Sequence, residues 1–106
     1  MNIFRKLLAS LQLREAIKQA EKAHRRFGHR FYVMPTFNGS GKLVIMDRKN
    51  FRGLKQKHYI SNQARVADLR NECFYFTEDR AGNYLSEADR RRKVRQFFAW
   101  VKASRG

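Results

Sequence analysis

The chain has 106 residues, with 24 Lys and Arg against 9 Asp and Glu, a formal net charge of +15 and a pI of about 11.0. A hydrophobic content of 42% excludes a disordered polyelectrolyte. The single cysteine, Cys73, excludes an intramolecular disulfide and a cysteine-based zinc finger, and no apolar run is long enough for a transmembrane helix.

The length suits one domain, residues 1–106, with a real but modest core. Like charges at this density oppose compaction unless they spread over the surface or meet a polyanion. Most are Arg, whose planar donor fork suits phosphates and guanine edges. Nucleic acid is therefore the expected partner. The competing reading is a solvated basic surface on a protein that binds something else.

Residues 2–27 form the first helical segment. Asn2 can cap a helix through Ile3, Phe4, Leu7, Leu8 and Leu11. Apolar positions then restart at Leu13, Ile17, Ala20, His24 and Phe27. The two stripes differ in phase, which predicts a kink or break near Ser10. The opposite face carries Arg14, Lys18, Lys22, Arg25 and Arg26, tempered by Glu15 and Glu21, and Gly28 is a favoured helix stop. Arg5 and Lys6 precede a patch too short for a signal peptide, so a cytoplasmic location is expected. The segment could lie on a membrane surface, but packing against an aromatic-rich core is the expectation, with no membrane partner.

A hairpin-helix unit follows over residues 29–58. Phe31, Val33, Pro35 and Phe37 alternate with Tyr32, Met34 and Thr36, the period of a half-buried strand, and Pro35 points to a sheet edge or bulge. Asn38-Gly39-Ser40-Gly41 can reverse the chain into a return strand from Leu43 to Met46. Asp47 then caps a helix, with Met46 and Phe51 at the spacing of a hydrophobic staple. Phe51, Leu54 and His58 share one side; Arg48, Arg52 and Lys55 share another, with Lys49 and Gln56 beside them. Residues 61–71 read as a short helix capped by Ser61 or Asn62, with Val66 and Leu69 inward.

Residues 73–104 read as a second, looser unit. Cys73 to Thr77 is an aromatic strand, Glu78 to Asn83 a turn, and Tyr84-Leu85 a short return strand. Ser86 caps a final helix whose stripe is Val94, Phe97, Phe98 and Val101. The order is αββααββα, an α+β fold of about four mostly antiparallel strands in two hairpins with helices packed on the sheet. Phe31-Tyr32-Val33 parallels Phe74-Tyr75-Phe76, so an internal pseudo-repeat is possible; two independent hairpins would look the same.

Two clusters can carry function. Arg48, Lys49, Arg52, Lys55 and Gln56 line one side of the middle helix, where Arg52 and Gln56 are spaced to reach base edges while neighbours hold phosphates. Arg90, Arg91, Arg92, Lys93 and Arg95 open the last helix, whose free amide protons favour anions, although Glu87 and Asp89 offset that field. Lys42 adds one contact at the hairpin. Tyr32 and Tyr75 are candidates for base stacking, with burial in the core the stronger expectation.

No catalysis, metal, cofactor or small-molecule substrate is expected. His24, His29 and His58 lack metal-ligand spacing, and residues 38–42 resemble a phosphate loop only in composition, preceding a strand rather than a helix. The residue spacings of a homeodomain, a KH domain, a ribbon-helix-helix protein and an RNA-recognition motif are absent. The expected function is a small basic nucleic-acid-binding protein, DNA slightly ahead of RNA, making mainly backbone contacts. The alternative is a non-catalytic assembly module or homodimer that meets an acidic partner through the Trp100 flank and the first amphipathic helix.

Overall fold

The first helix of the computed structural model, α1, runs unbroken from Ile3 to Phe27; the structure describes residues 2–36, 41–61 and 63–105. Asn2 Oδ1 accepts from the Arg5 amide at 2.8 Å, and Gly28, at φ 76°, closes the helix by donating to the His24 carbonyl. The expected break near Ser10 is absent. Two stripes force a break only when both must face the same core. Here Ala9 extends the Leu13–Ala20 stripe inward, while Ile3, Phe4, Leu7, Leu8 and Leu11 point to solvent. Phe27, expected on the inner stripe, is exposed at the helix end and tilts against the rings of His29 and Phe31.

Three antiparallel strands follow: β1 (Tyr32–Pro35), β2 (Leu43–Met46) and β3 (Tyr75–Phe76), in the order β2-β1-β3. Tyr32 faces Met46 on one side and Phe76 on the other, and Val33 faces Ile45 and Tyr75. Pro35 therefore sits in the central strand, yet β3 has already ended beside it. The Thr36 amide bonds to Lys42 O on the β2 side, so by alternation position 35 turns towards the side where no strand pairs with it. Of the expected turn, Gly41 has φ 78°; Asn38, Gly39 and Ser40, like Phe37, lie outside the described residues.

α2 (Arg48–Gln56) begins on Asp47, whose Oδ1 accepts from the Asn50 amide at 2.9 Å, and Met46 and Phe51 are buried in one cluster as the staple spacing predicts. His58, expected beside Phe51 and Leu54, is instead exposed with φ 63° as the chain leaves the helix. α3 (Val66–Glu72) starts later than expected. Ser61 Oγ accepts from Gln63 in a turn, and the alternative cap Asn62 is outside the described residues; Asp68 Oδ2 takes the Arg65 amide at the true helix start.

The second hairpin does not form. Tyr84 and Leu85 are not a strand, and Tyr84 is exposed. Asp79 accepts from the amides of Ala81 and Asn83, and Arg30 donates to Thr77 O and Asn83 O, so the groups a return strand would use are already taken. Among the described residues there are three strands rather than four, in the order αββααβα. The pseudo-repeat finds no support: the second return strand is missing, and Tyr32 and Val33 lie on the opposite sheet faces from Tyr75 and Phe76, the residues they would match.

α4 (Glu87–Arg105) starts where expected, with Ser86 Oγ accepting from the Asp89 amide at 3.1 Å. The fold is α+β, with both sheet faces covered. α1 and α4 enclose Phe31, Val33, Phe74, Phe97 and Val101 on one face; α2 and α3 enclose Tyr32, Met34, Phe51, Leu69 and Phe76 on the other. Burying both sides of a three-stranded sheet explains how so charged a chain gains a continuous apolar core.

Candidate nucleic-acid interface

The residues after β2 build a cationic groove. Asp47 caps α2 with one carboxylate oxygen and holds His29 Nε2 at 3.0 Å with the other, so the helix start is pinned against the end of α1. With Phe51 and Leu54 turned to the core, the helical period sets Arg48, Lys49 and Arg52 along a neighbouring side. Facing them are Arg70 of α3 and Arg80 of the turn after β3, across a groove of about 810 Å³.

Asp79 organises that turn. It takes the Ala81 and Asn83 amides and the Asn83 side chain, and Arg30 stands 3.6 Å from its Oδ2. The bonds from Asn83, then from Ala81 and the nearby Arg30, hold the Asp79 carboxyl below its ordinary range. Arg30 is committed to structure: besides Thr77 O and Asn83 O, its guanidinium stacks 4.2 Å from the centre of the Phe76 ring. Arg48, Lys49, Arg52, Arg70 and Arg80 are exposed, and among the described residues none has a carboxylate within salt-bridge distance.

The sequence-derived candidates divide. Arg48, Lys49 and Arg52 line the groove. Lys55 is half-buried with its ammonium 5.9 Å from the Phe51 ring centre, and Gln56 is exposed outside the groove lining. Lys42 lies at the far end of β2, next to Gly41, whose carbonyl accepts from Gln12 of α1.

The α4 cluster also divides. Lys93 is a correction: it is 4% exposed, and its Nζ donates to Arg70 O at 2.8 Å and Cys73 O at 2.9 Å. The last carbonyls of α3 lack helical partners, and a buried ammonium satisfies them. Lys93 is thus a cap, not a ligand site. Arg92 pairs with Asp89 at 2.9 Å, and Arg90 lies 5.3 Å over the Tyr75 ring. Arg91 and Arg95 are exposed beside Tyr84 and Leu85 in a second shallow groove. A small depression containing Arg70, Leu85 and Arg92 lies between the two and shares residues with each.

Arg70 and Arg80 were missed by sequence reasoning. Arg70 had a usable signal, since Val66 and Leu69 inward leave position 70 on a flank. Arg80 had none, because only the fold brings its turn against α2. Neither tyrosine offers a stacking surface. Tyr32 is buried, and the Tyr75 hydroxyl donates to Glu21; burial first, then that bond, pushes its pKa up to about 12. Trp100, expected to be exposed, is half-buried with its ring 5.4 Å from that of Phe74 and 6.0 Å from that of Phe97. Cys73 is buried, and desolvation raises its thiol pKa despite Lys93 beside it.

Among the described residues no three His, Cys, Asp or Glu gather as metal ligands, and no helix is long and apolar enough to cross a membrane. Comparison with protein-family models, with curated proteins and with solved structures found no match.

Proposed function

We propose that this protein binds nucleic acid through phosphate contacts in the groove between α2, α3 and the turn after β3. The observation that carries the reading is the convergence of five exposed cations from three elements, Arg48, Lys49, Arg52, Arg70 and Arg80, with no carboxylate partner among the described residues. Asp79 also lines the groove as a carboxylate and offsets part of this charge, but the five cations outnumber it, and the Asp47 carboxylate is turned to His29 and the helix cap. Arg forks in such an array hold phosphate oxygens bidentately.

Duplex DNA is placed ahead of single-stranded RNA because the latter is recognised largely by aromatic stacking. Tyr32 and Tyr75 are turned to other uses. Binding is expected to be sequence-tolerant, since phosphate contacts set position and carry no base information.

Fluorescence anisotropy with labelled duplex DNA and single-stranded RNA at two salt concentrations tests this. With five phosphates neutralised by the groove, affinity falls about five-hundredfold between roughly 50 and 200 mM salt. No binding to either nucleic acid at the lower salt rejects the proposal.

A further inference from the structure

α1 has two apolar stripes on opposite sides, and the core uses only one. Ile3, Phe4, Leu7, Leu8 and Leu11 are 87, 70, 58, 53 and 48% exposed. At the helical period these five cover an arc of about 140°. They present on the order of 600 Å² of apolar surface, at the top of the range for the largest patch on an ordinary monomer, about 300–600 Å². None belongs to either core cluster.

The same outer face continues as Arg14, Lys18, Lys22 and Arg25, all exposed. It is apolar along the first three turns and cationic along the rest. Its two acids, Glu15 and the half-buried Glu21 that accepts from Tyr75, are outnumbered by these four cations. α4 runs antiparallel in the same layer, since Lys6 of α1 stands 5.9 Å from the Phe98 ring while Tyr75, bonded to Glu21, lies under Arg90. It adds the exposed Arg91, Arg95 and Lys102.

A surface that complements this layer must accept apolar side chains at one end and carry negative charge beyond them. A second copy of this chain has the opposite property. Self-pairing of the stripe brings together two bodies of formal charge +15, each with a cationic helix face. An anionic bilayer meets both requirements at once. We propose that the outer face of α1 docks on an anionic lipid leaflet, with Phe4, Leu7, Leu8 and Leu11 entering the boundary between headgroups and acyl chains and Arg14, Lys18 and Lys22 lying on the phosphates. As expected, α1 packs against the core, but it does so through the inner stripe of Ala9, Leu13 and Ala20, and the outer stripe stays exposed.

The groove of α2 and α3 is on the other side of the sheet. Lipid and nucleic acid therefore do not compete for one surface, and the inference stands without the nucleic-acid reading.

Flotation of the full chain with vesicles of phosphatidylcholine containing phosphatidylglycerol, and with vesicles of phosphatidylcholine alone, tests the proposal. Three proteins are compared: the natural sequence, Phe4→Gln/Leu7→Gln/Leu8→Gln and Lys18→Glu/Lys22→Glu. Gln keeps helix propensity, and circular dichroism checks that the fold is retained. The natural chain floats with the anionic vesicles and far less with neutral ones. The triple variant partitions about a hundredfold less, and the charge variant at least about tenfold less. Duplex-DNA affinity of the triple variant stays unchanged. Three results overturn the proposal: no flotation with anionic vesicles, a triple variant that floats as well as the natural chain, or a light-scattering dimer that the triple substitution dissociates. The last assigns the face to a second copy.

Discussion

Two basic stretches of this chain look alike as sequence and differ in what their charges are free to do. Arg48, Lys49 and Arg52 stand on a helix whose start is satisfied by Asp47, and among the described residues no carboxylate or carbonyl claims their side chains. The denser run, Arg90 to Lys93, opens a helix that crosses the end of α3. There Lys93 is drawn into the core by two carbonyls, Arg92 is paired with Asp89, and Arg90 covers Tyr75. Charge density is therefore a poor guide to available charge. What decides is whether the neighbouring element offers oxygen atoms that need a donor.

The largest effect that can break this comparison is on stability. Replacing Lys93 with Ala leaves two carbonyls at the end of α3 without their buried donor, and it is expected to lower unfolding free energy by about 3 kcal/mol in chemical denaturation. A loss within about 0.5 kcal/mol, the usual range for a surface substitution, would return Lys93 to the surface set.

Next in size is binding. Arg48→Glu/Arg52→Glu should weaken duplex-DNA affinity about a hundredfold with little change in stability, whereas Arg91→Glu/Arg95→Glu should weaken it about tenfold or less. The reverse order in anisotropy would move the site to α4. Arg80→Ala should cost about threefold and lower the salt slope by roughly one, as expected for one lost phosphate contact.

Smaller effects concern the acid and base limits of the supporting structure. The Asp79 carboxyl is held low by Asn83, so the turn carrying Arg80 gains stability above the ordinary carboxylate pKa. That gain is lost as the pH falls through the lowered value. Protection of the Ala81 and Asn83 amides, measured against the intrinsic exchange rate at each pH, should be lost only in strong acid, and loss of that protection near neutral pH would show that Asp79 does not hold the turn. At the other extreme, Tyr75 is raised to about 12. The stability it contributes is complete below the unfolded value of about 10 and is lost as the pH rises through 12. One tyrosinate should form late in an absorbance titration, and Glu21→Gln should bring it earlier.

Much of the fold was legible locally. Asn2, Asp47 and Ser86 each cap the helix assigned to them, because a short polar side chain next to orphan amides acts within one turn of chain. Gly28 likewise ends α1 in the left-handed conformation that glycine accepts without strain. The first hairpin follows from alternation and turn residues. The second was misread since Tyr84-Leu85 has the composition of a strand, while its pairing depended on what Arg30, distant in sequence, would do with Thr77 and Asn83.

The same division holds for the candidate site. Arg48, Lys49 and Arg52 were legible from helical spacing, and Arg70 nearly so. Arg80 was not, because its place beside α2 is set by a turn that only tertiary contacts position. By itself the sequence determined a basic α+β chain, the caps of α1, α2 and α4, the first hairpin and the two stripes of α1, all properties of residues a few positions apart. Only the tertiary structure decided that one stripe of α1 is left to solvent, that Lys93 is a buried cap, and that three separate elements share one cationic groove. Those outcomes depend on which donors and acceptors remain unmatched once distant segments meet, and no local pattern encodes that count.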